Sequence, residues 1–166
     1  RAPKDGLHGL RVAIVGDIMH SRVARSNMLC LKLLGADVVV SGPPTLLPKG
    51  LDQYGVTCCP SVDDLLPGTD ALMMLRIQKE RIQVPAFPSE REYFRRYGLT
   101  RQRFARLPEH AIVMHPGPIN RGVEIAPEIA DHKRAVIIEQ AQNGVAVRMA
   151  VLYLLALGLN KIVEVV

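Results

Sequence analysis

Ala71-Leu72-Met73-Met74-Leu75-Arg76-Ile77-Gln78-Lys79-Glu80-Arg81 is the stretch on which the reading of the fold turns. Five apolar residues without alternation describe a strand buried on both faces, as parallel sheets require. An arginine, a glutamine, a lysine, a glutamate and a second arginine then follow within six residues. In a parallel α/β domain the residues just past a strand's carboxyl end line the ligand crevice, so Arg76 and Gln78 are expected there on a rigid support.

The flanking sequence repeats the same unit. Upstream, Arg11-Val12-Ala13-Ile14-Val15 ends in Gly16-Asp17, and a helical run over residues 22–34 stops at Gly35, a residue suited to a helix C-terminus. Residues 37–41 form a Val-rich strand closed by Gly42-Pro43-Pro44, and residues 56–59 a short one. Ser61 reads as an N-cap, with Asp63 and Asp64 in the first turn where the helix dipole favours them. Downstream, a charged stretch over residues 89–107 holds one or two exposed helices. Residues 111–114 make the fifth strand, Ala126-Pro127-Glu128 opens a short helix, and residues 135–157 supply a long one with Gly144 inside it. Strand and helix in alternation predict one α/β domain over residues 1–166, a three-layer, doubly wound, Rossmann-like parallel sheet of about five strands.

Composition narrows the function. A chain of 166 residues, 48% hydrophobic, can bury a core of its own. The longest uninterrupted apolar run, residues 149–157, is short of a membrane span, so no membrane partner is expected. The net charge of +5 invites a nucleic-acid reading. Yet the basic residues are dispersed and few aromatics accompany them, so the excess is assigned to anionic small molecules or an acidic partner surface. Cys30, Cys58 and Cys59 form no even disulfide framework, which points to a reducing, cytoplasmic compartment. Nothing in the motifs calls for a metal or a cofactor. Arg1-Ala2-Pro3-Lys4-Asp5-Gly6 carries no signal peptide and looks like the cut end of an interdomain linker.

Three polar loops follow the first, fourth and fifth strands: Gly16-Asp17-Ile18-Met19-His20-Ser21-Arg22, the segment from Arg76 to Arg81, and His115-Pro116-Gly117-Pro118. In a parallel sheet all three emerge on one edge. A dinucleotide fingerprint would need two further glycines after Gly16, where this chain has Ile18 and Ser21, so a nicotinamide cofactor is disfavoured.

Gly16-Asp17 with Arg22, Arg76-Ile77-Gln78-Lys79-Glu80-Arg81, and His115-Pro116-Gly117-Pro118 followed by Arg121-Gly122-Val123-Glu124-Ile125 closely resemble the carboxyl-terminal half of the aspartate carbamoyltransferase family. The likeness covers nearly the whole chain, with the motifs in family order. Ornithine carbamoyltransferases resemble it less, carrying His-Cys-Leu-Pro where this chain has Pro116 after His115.

The resemblance implies transfer of the carbamoyl group of carbamoyl phosphate to the amine of L-aspartate, in pyrimidine biosynthesis. It assigns L-aspartate to Arg22, Arg76 and Gln78, with Arg76 and Gln78 as the catalytic pair. Guanidinium suits two carboxylates because it binds bidentately without titrating. It assigns the carbamoyl group to the backbone of Pro116, Gly117 and Pro118, with a cis peptide before Pro118. His115 is expected to be structural, and Arg25, Arg121 and Glu124 to shape the surroundings. Lys79, Glu80 and Arg81 are read either as a solvated charge cluster or as interdomain salt bridges beside a loop, residues 83–98, that closes on aspartate. The apolar stripe of residues 136–157 is expected to be core packing that also meets the other half of the enzyme.

The family's phosphate-binding Ser-Thr-Arg-Thr-Arg segment and its catalytic histidine belong to an amino-terminal half that this sequence lacks. The chain alone is therefore expected to be inactive. Implied partners are carbamoyl phosphate, the carbamoyl-phosphate-binding domain, two further catalytic chains in a trimer, and a dihydroorotase or regulatory chain. An ornithine-type transferase domain and a non-catalytic scaffolding module remain the alternatives.

Overall fold

A computed structural model describes residues 6–78 and 87–163, with side chains as far as residue 158. Five strands form one parallel sheet: β1 (Arg11–Val15), β2 (Asp37–Ser41), β3 (Thr57–Cys58), β4 (Ala71–Met74) and β5 (Ile112–Met114), in the order β3-β2-β1-β4-β5. The helices are α1 (Arg22–Leu33), α2 (Val62–Leu65), α3 (Glu90–Tyr97), α4 (Arg101–Arg106), α5 (Pro127–Ala130) and α6 (Ile137–Val163). Two 3-10 turns, Pro44–Leu46 and Leu51–Tyr54, fill the β2–β3 connection, which the sequence left without structure.

The apolar runs of the strands are explained by burial on both faces. Along β1, Ala13 and Val15 join one core with Leu72, Met74 and Val113, under α2 and α5. Val12 and Ile14 join the other with Val38, Val40 and Met73, against Ala24 and Met28 of α1. Alternate residues therefore serve opposite layers, and a polar residue at any of these positions would be buried without a partner.

Local chemistry sets the helix ends. Ser21 Oγ accepts the Ala24 N–H at 3.0 Å and starts α1. At its end the N–H groups of Gly35 and Ala36 reach back to the carbonyls of Lys32 and Leu31, closing the helix in a Schellman motif. Ser89 Oγ caps α3 through the Glu92 N–H, and Thr100 Oγ1 caps α4. Ser61 occupies the N-cap position of α2, but its side chain makes no capping bond. Asp63 is engaged across the molecule instead: Arg103 and Arg106 both hold its carboxylate, and the Arg103 hydrogen bond keeps that carboxyl below its usual range. Arg103 also donates to Gly98 O at 2.8 Å, so the segment between α3 and α4 is tied to α2.

Two glycines let the strand ends crowd together. A Cβ on Gly42 would lie 2.3 Å from Gly16 O, and one on Gly16 would meet Leu75 Cβ and O at 3.1 Å and Tyr93 Oη at 3.2 Å. Gly42→Ala is expected to lower the unfolding free energy by about 1–3 kcal/mol, the cost of overpacking a site whose neighbour is backbone. Urea melts would measure it, and a change below about 0.5 kcal/mol would mean the strand end yields freely.

One expectation needs correction. Within the stripe over residues 136–157, Ile137 packs against the core under α2 and α5, but the apolar residues from Ile138 onward do not join it. Residues 134–136 run beside β5, with Val113 N–H bonded to Arg134 O and Val136 N–H to Val113 O, and α6 then leaves the sheet. Ile138 is 72% exposed, Leu152 62% and Leu155 60%. The cause is composition: α6 is apolar around most of its circumference, so no single face on this domain could cover it. By length and composition alone, residues 137–158 would suffice to cross a bilayer, although Glu139, Gln140, Gln142, Asn143 and Arg148 interrupt them.

Candidate active site

The strand order reverses beside β1, where the chain first crosses to β2 and later returns to β4 on the other side. Open α/β sheets bind ligands at such a switch point, outside the carboxyl ends of the strands. Val15 is in register with Met74, and Met73 with Met114, so β1, β4 and β5 end side by side. The backbones of all three polar loops therefore leave the sheet from adjacent positions on one edge.

After β1, Asp17 is fully buried and its carboxylate accepts from His20 N at 3.1 Å and from His20 Nδ1 at 2.9 Å. This closes the loop and delivers Ser21 as the cap of α1, making Arg22 the first helical residue, exposed at the rim. The first turn of α1 contains no acidic residue, so its end remains favourable to anions.

After β4, the ladder extends one step through Leu75 N–H to Val15 O. Arg76 and Gln78 are half-buried on either side of fully buried Ile77. The Ile77 N–H donates to Glu124 Oε1 at 3.0 Å. Gln78 Oε1 is buried and accepts no hydrogen bond among the described residues. A buried amide oxygen in that state costs free energy until a donor arrives. Lys79, Glu80 and Arg81 lie outside the described residues, as does the start of the expected loop over residues 83–98; its later part is α3.

After β5, His115 N–H donates to Gln140 Oε1 at 3.0 Å, and Gly117 N–H donates to His115 Nδ1 at 2.9 Å. Nδ1 is thus the acceptor and the ring proton sits on Nε2, which lies 4.0 Å from Glu124 Oε2. Burial, and secondarily the Arg76 charge, lower the His115 pKa to about 4, so the ring is neutral at physiological pH. Gly117-Pro118 is cis, in agreement with the expectation; Gly117 and Pro118 are exposed and Pro116 is half-buried.

Glu124 has more contacts than the sequence reading assigned to it. Its side chain is fully buried and accepts from Ile77 N, Asn120 N and Asn120 Nδ2. Burial nonetheless raises its pKa, with the three donors opposing. A glutamate between Val123 and Ile125 was the available signal, since apolar neighbours on both sides mark a buried carboxylate. Arg121 points elsewhere, to Asp131 and Pro127 O, and Arg25 is exposed on α1. Among the described residues no cluster of His, Cys, Asp and Glu is arranged to hold a metal ion. A groove of about 850 Å³ opens next to His115, between α6 and the β5 edge, lined by Ser26, Asn27, Met114, Gln140 and Arg148 among others. It adjoins the strand-end loops without containing Arg22, Arg76 or Gln78.

The sequence profile described as Aspartate/ornithine carbamoyltransferase, Asp/Orn binding domain, matches residues 8–155. The chain belongs to the aspartate/ornithine carbamoyltransferase family. Among curated relatives, the aspartate carbamoyltransferase catalytic subunit of Acidothermus cellulolyticus is 60% identical over 153 residues, covering 92% of this chain and 47% of the relative. That of Thermobifida fusca is 58% identical over 152 residues, covering 92% and 49%. Among solved structures, the catalytic subunit of M. jannaschii aspartate transcarbamoylase has a TM-score of 0.68 at 31% identity, over 88% of this chain and 48% of that one. The ornithine carbamoyltransferase of Pyrococcus furiosus reaches 0.76 at 24% identity, over 90% and 50%, a likeness of fold. The chain spans about half the length of the curated relatives it matches. The parallel five-stranded α/β fold expected from the sequence is the fold of this carbamoyltransferase domain.

Proposed function

We propose that this domain is the aspartate-binding half of an aspartate carbamoyltransferase, inactive until joined to a carbamoyl-phosphate-binding half. The observation that carries the reading is the edge formed by β1, β4 and β5, with Arg22, Arg76, Gln78 and the turn of residues 116–118 on adjacent strand ends. Arg22 and Arg76 provide two guanidinium groups for the two carboxylates of L-aspartate, and Arg76, half-buried, is the better pre-organised. The unsatisfied Gln78 Oε1 accepts from the aspartate amine and aims its lone pair at the carbamoyl carbon. Backbone carbonyls of residues 116–118 accept from the carbamoyl NH2. The amine nitrogen bonds to the carbonyl carbon, the carbon–oxygen bond to phosphate breaks, and the amine proton leaves with the phosphate.

The exposed apolar surface of α6 supports a split site. Leu152 and Leu155 would be covered by the half that supplies phosphate-binding groups, because burying each apolar side chain is worth about 1.5–3 kcal/mol. A trimeric assembly in the cytoplasm, feeding pyrimidine biosynthesis and open to a dihydroorotase or regulatory chain, belongs to the same proposal.

The test is complementation. The purified chain is expected to show no carbamoyl transfer, and the chain joined to the remaining half of the Acidothermus relative to turn over aspartate and carbamoyl phosphate. Turnover by the chain alone would refute the split site. A joined protein that folds but ignores aspartate would refute the substrate.

A further inference from the structure

We infer that Glu124 is a positioning residue that sets the backbone from which Arg76 and Gln78 reach the substrate. The inference rests on the aspartate-binding reading proposed above. Its starting point is an atom: the Ile77 N–H lies between the two substrate residues in the chain, and its acceptor is Glu124 Oε1, 3.0 Å away and 47 residues distant in sequence.

Among the described residues the β1–β4 ladder runs as far as the Leu75 N–H to Val15 O bond. The Ile77 N–H bond to Glu124 then restrains the backbone between Arg76 and Gln78. Its geometry therefore decides how both side chains leave the main chain. The carboxylate is itself immobilised. Oε1 also accepts from Asn120 Nδ2 at 2.7 Å and Oε2 from Asn120 N at 2.7 Å. The Glu124 carbonyl in turn accepts from Leu99 N at 2.8 Å, joining the segment after α3 to the same point. One residue thereby links the chain after β4, after α3 and after β5.

A purely structural link between loops would not need a charge. Burying a carboxylate completely is costly, and an apolar residue of similar volume packs such a junction at less expense. A carboxylate, however, can take three N–H donors on two oxygens at once, which an amide cannot, since its nitrogen would confront one of them. The charge also acts on the neighbourhood. His115 Nε2 lies 4.0 Å from Glu124 Oε2, while the Arg76 charge bears on the same ring. Both charged groups therefore border the same buried imidazole.

Two measurements separate this role from general stabilisation. In the isolated chain, amide hydrogen exchange compares wild type with Glu124→Gln. The Ile77 and Asn120 amides are expected to exchange at least about tenfold faster in the variant, with Ile14 in β1 unchanged. In the chain joined to a carbamoyl-phosphate-binding half, Glu124→Gln is expected to raise the aspartate KM and lower kcat for a combined loss of about a hundredfold in kcat/KM, while carbamoyl phosphate affinity stays within about twofold. Wild-type aspartate kinetics in a folded variant would overturn the inference, as would equal acceleration of exchange at Ile14. If Glu124→Gln fails to fold, Asn120→Ala removes one donor without stranding a new charge. It is expected to cost about fivefold in aspartate kcat/KM, and an unchanged value overturns the inference. Should the wild-type joined enzyme itself ignore aspartate, the parent reading falls, and the exchange experiment alone judges the Glu124 tether.

Discussion

Arg76→Ala, in the chain joined to its complementary half, is expected to lower kcat/KM for aspartate by about a thousandfold, or about 4 kcal/mol. Removing one partner of a desolvated charge pair leaves the other charge buried without compensation, and in this proposal Arg76 meets both substrate carboxylates. The residue is half-buried two positions past β4, so its backbone is held by the ladder before it and by Ile77 after it. Arg76→Lys keeps the charge but loses the planar fork, and is expected to recover no more than about a tenth of the wild-type rate. Steady-state kinetics at varied aspartate would measure both. A loss under about tenfold for Arg76→Ala would place the carboxylates elsewhere.

Acid is expected to unfold this domain first through His115. Burial and the Arg76 charge lower its pKa from 6.5 to about 4 in the folded state. The unfolded chain takes up a proton below its ordinary value, while the folded chain refuses one until the pH is much lower. Stability is therefore complete above about pH 6.5 and falls as the pH drops toward 4, by about 3 kcal/mol in all. Glu124 runs the other way, because burial raises its pKa and the folded state binds that proton more readily. Asp63, held down by Arg103, loses its contribution at lower pH than His115 does. His115→Asn separates the effects, since the asparagine oxygen can accept the Gly117 N–H without titrating. Urea unfolding of both proteins between pH 7 and 4 is expected to give a much flatter curve for the variant. Parallel curves would show that His115 is not the group that refuses the proton.

These expectations depend on features that differ in how far the sequence reveals them. The strands were readable because their signals are local: Ala71 to Met74 is an unbroken apolar run, and glycine or proline closes most of its counterparts. The position of Arg76 just past a strand end follows from that run and needs no tertiary information. The cap of α1 at Ser21 is equally local. Ser61 and Asp63 show the limit: the expected side-chain cap does not form, and Asp63 pairs with Arg103, 40 residues away, which no local pattern announces.

Apolarity in α6 led to an expectation of burial that this domain alone does not meet. A hydrophobic residue carries no address, so the same pattern serves a core of this domain and a surface awaiting another. Glu124 was read only as shaping the surroundings; its apolar neighbours carry a signal of burial, but nothing marks it as the acceptor for Ile77, since hydrogen-bond partners 47 residues apart leave no spacing to read.

By itself, then, the amino-acid order determined a parallel α/β sheet and which polar residues stand just beyond its strands, because strand burial and turn chemistry act over a few neighbouring residues. Only the tertiary structure decided that β1, β4 and β5 lie side by side, that Glu124 grips the amide between Arg76 and Gln78, and that α6 leaves its apolar surface uncovered. Those outcomes depend on the register of parallel strands and on volumes filled by distant side chains, which are properties of the packed molecule as a whole.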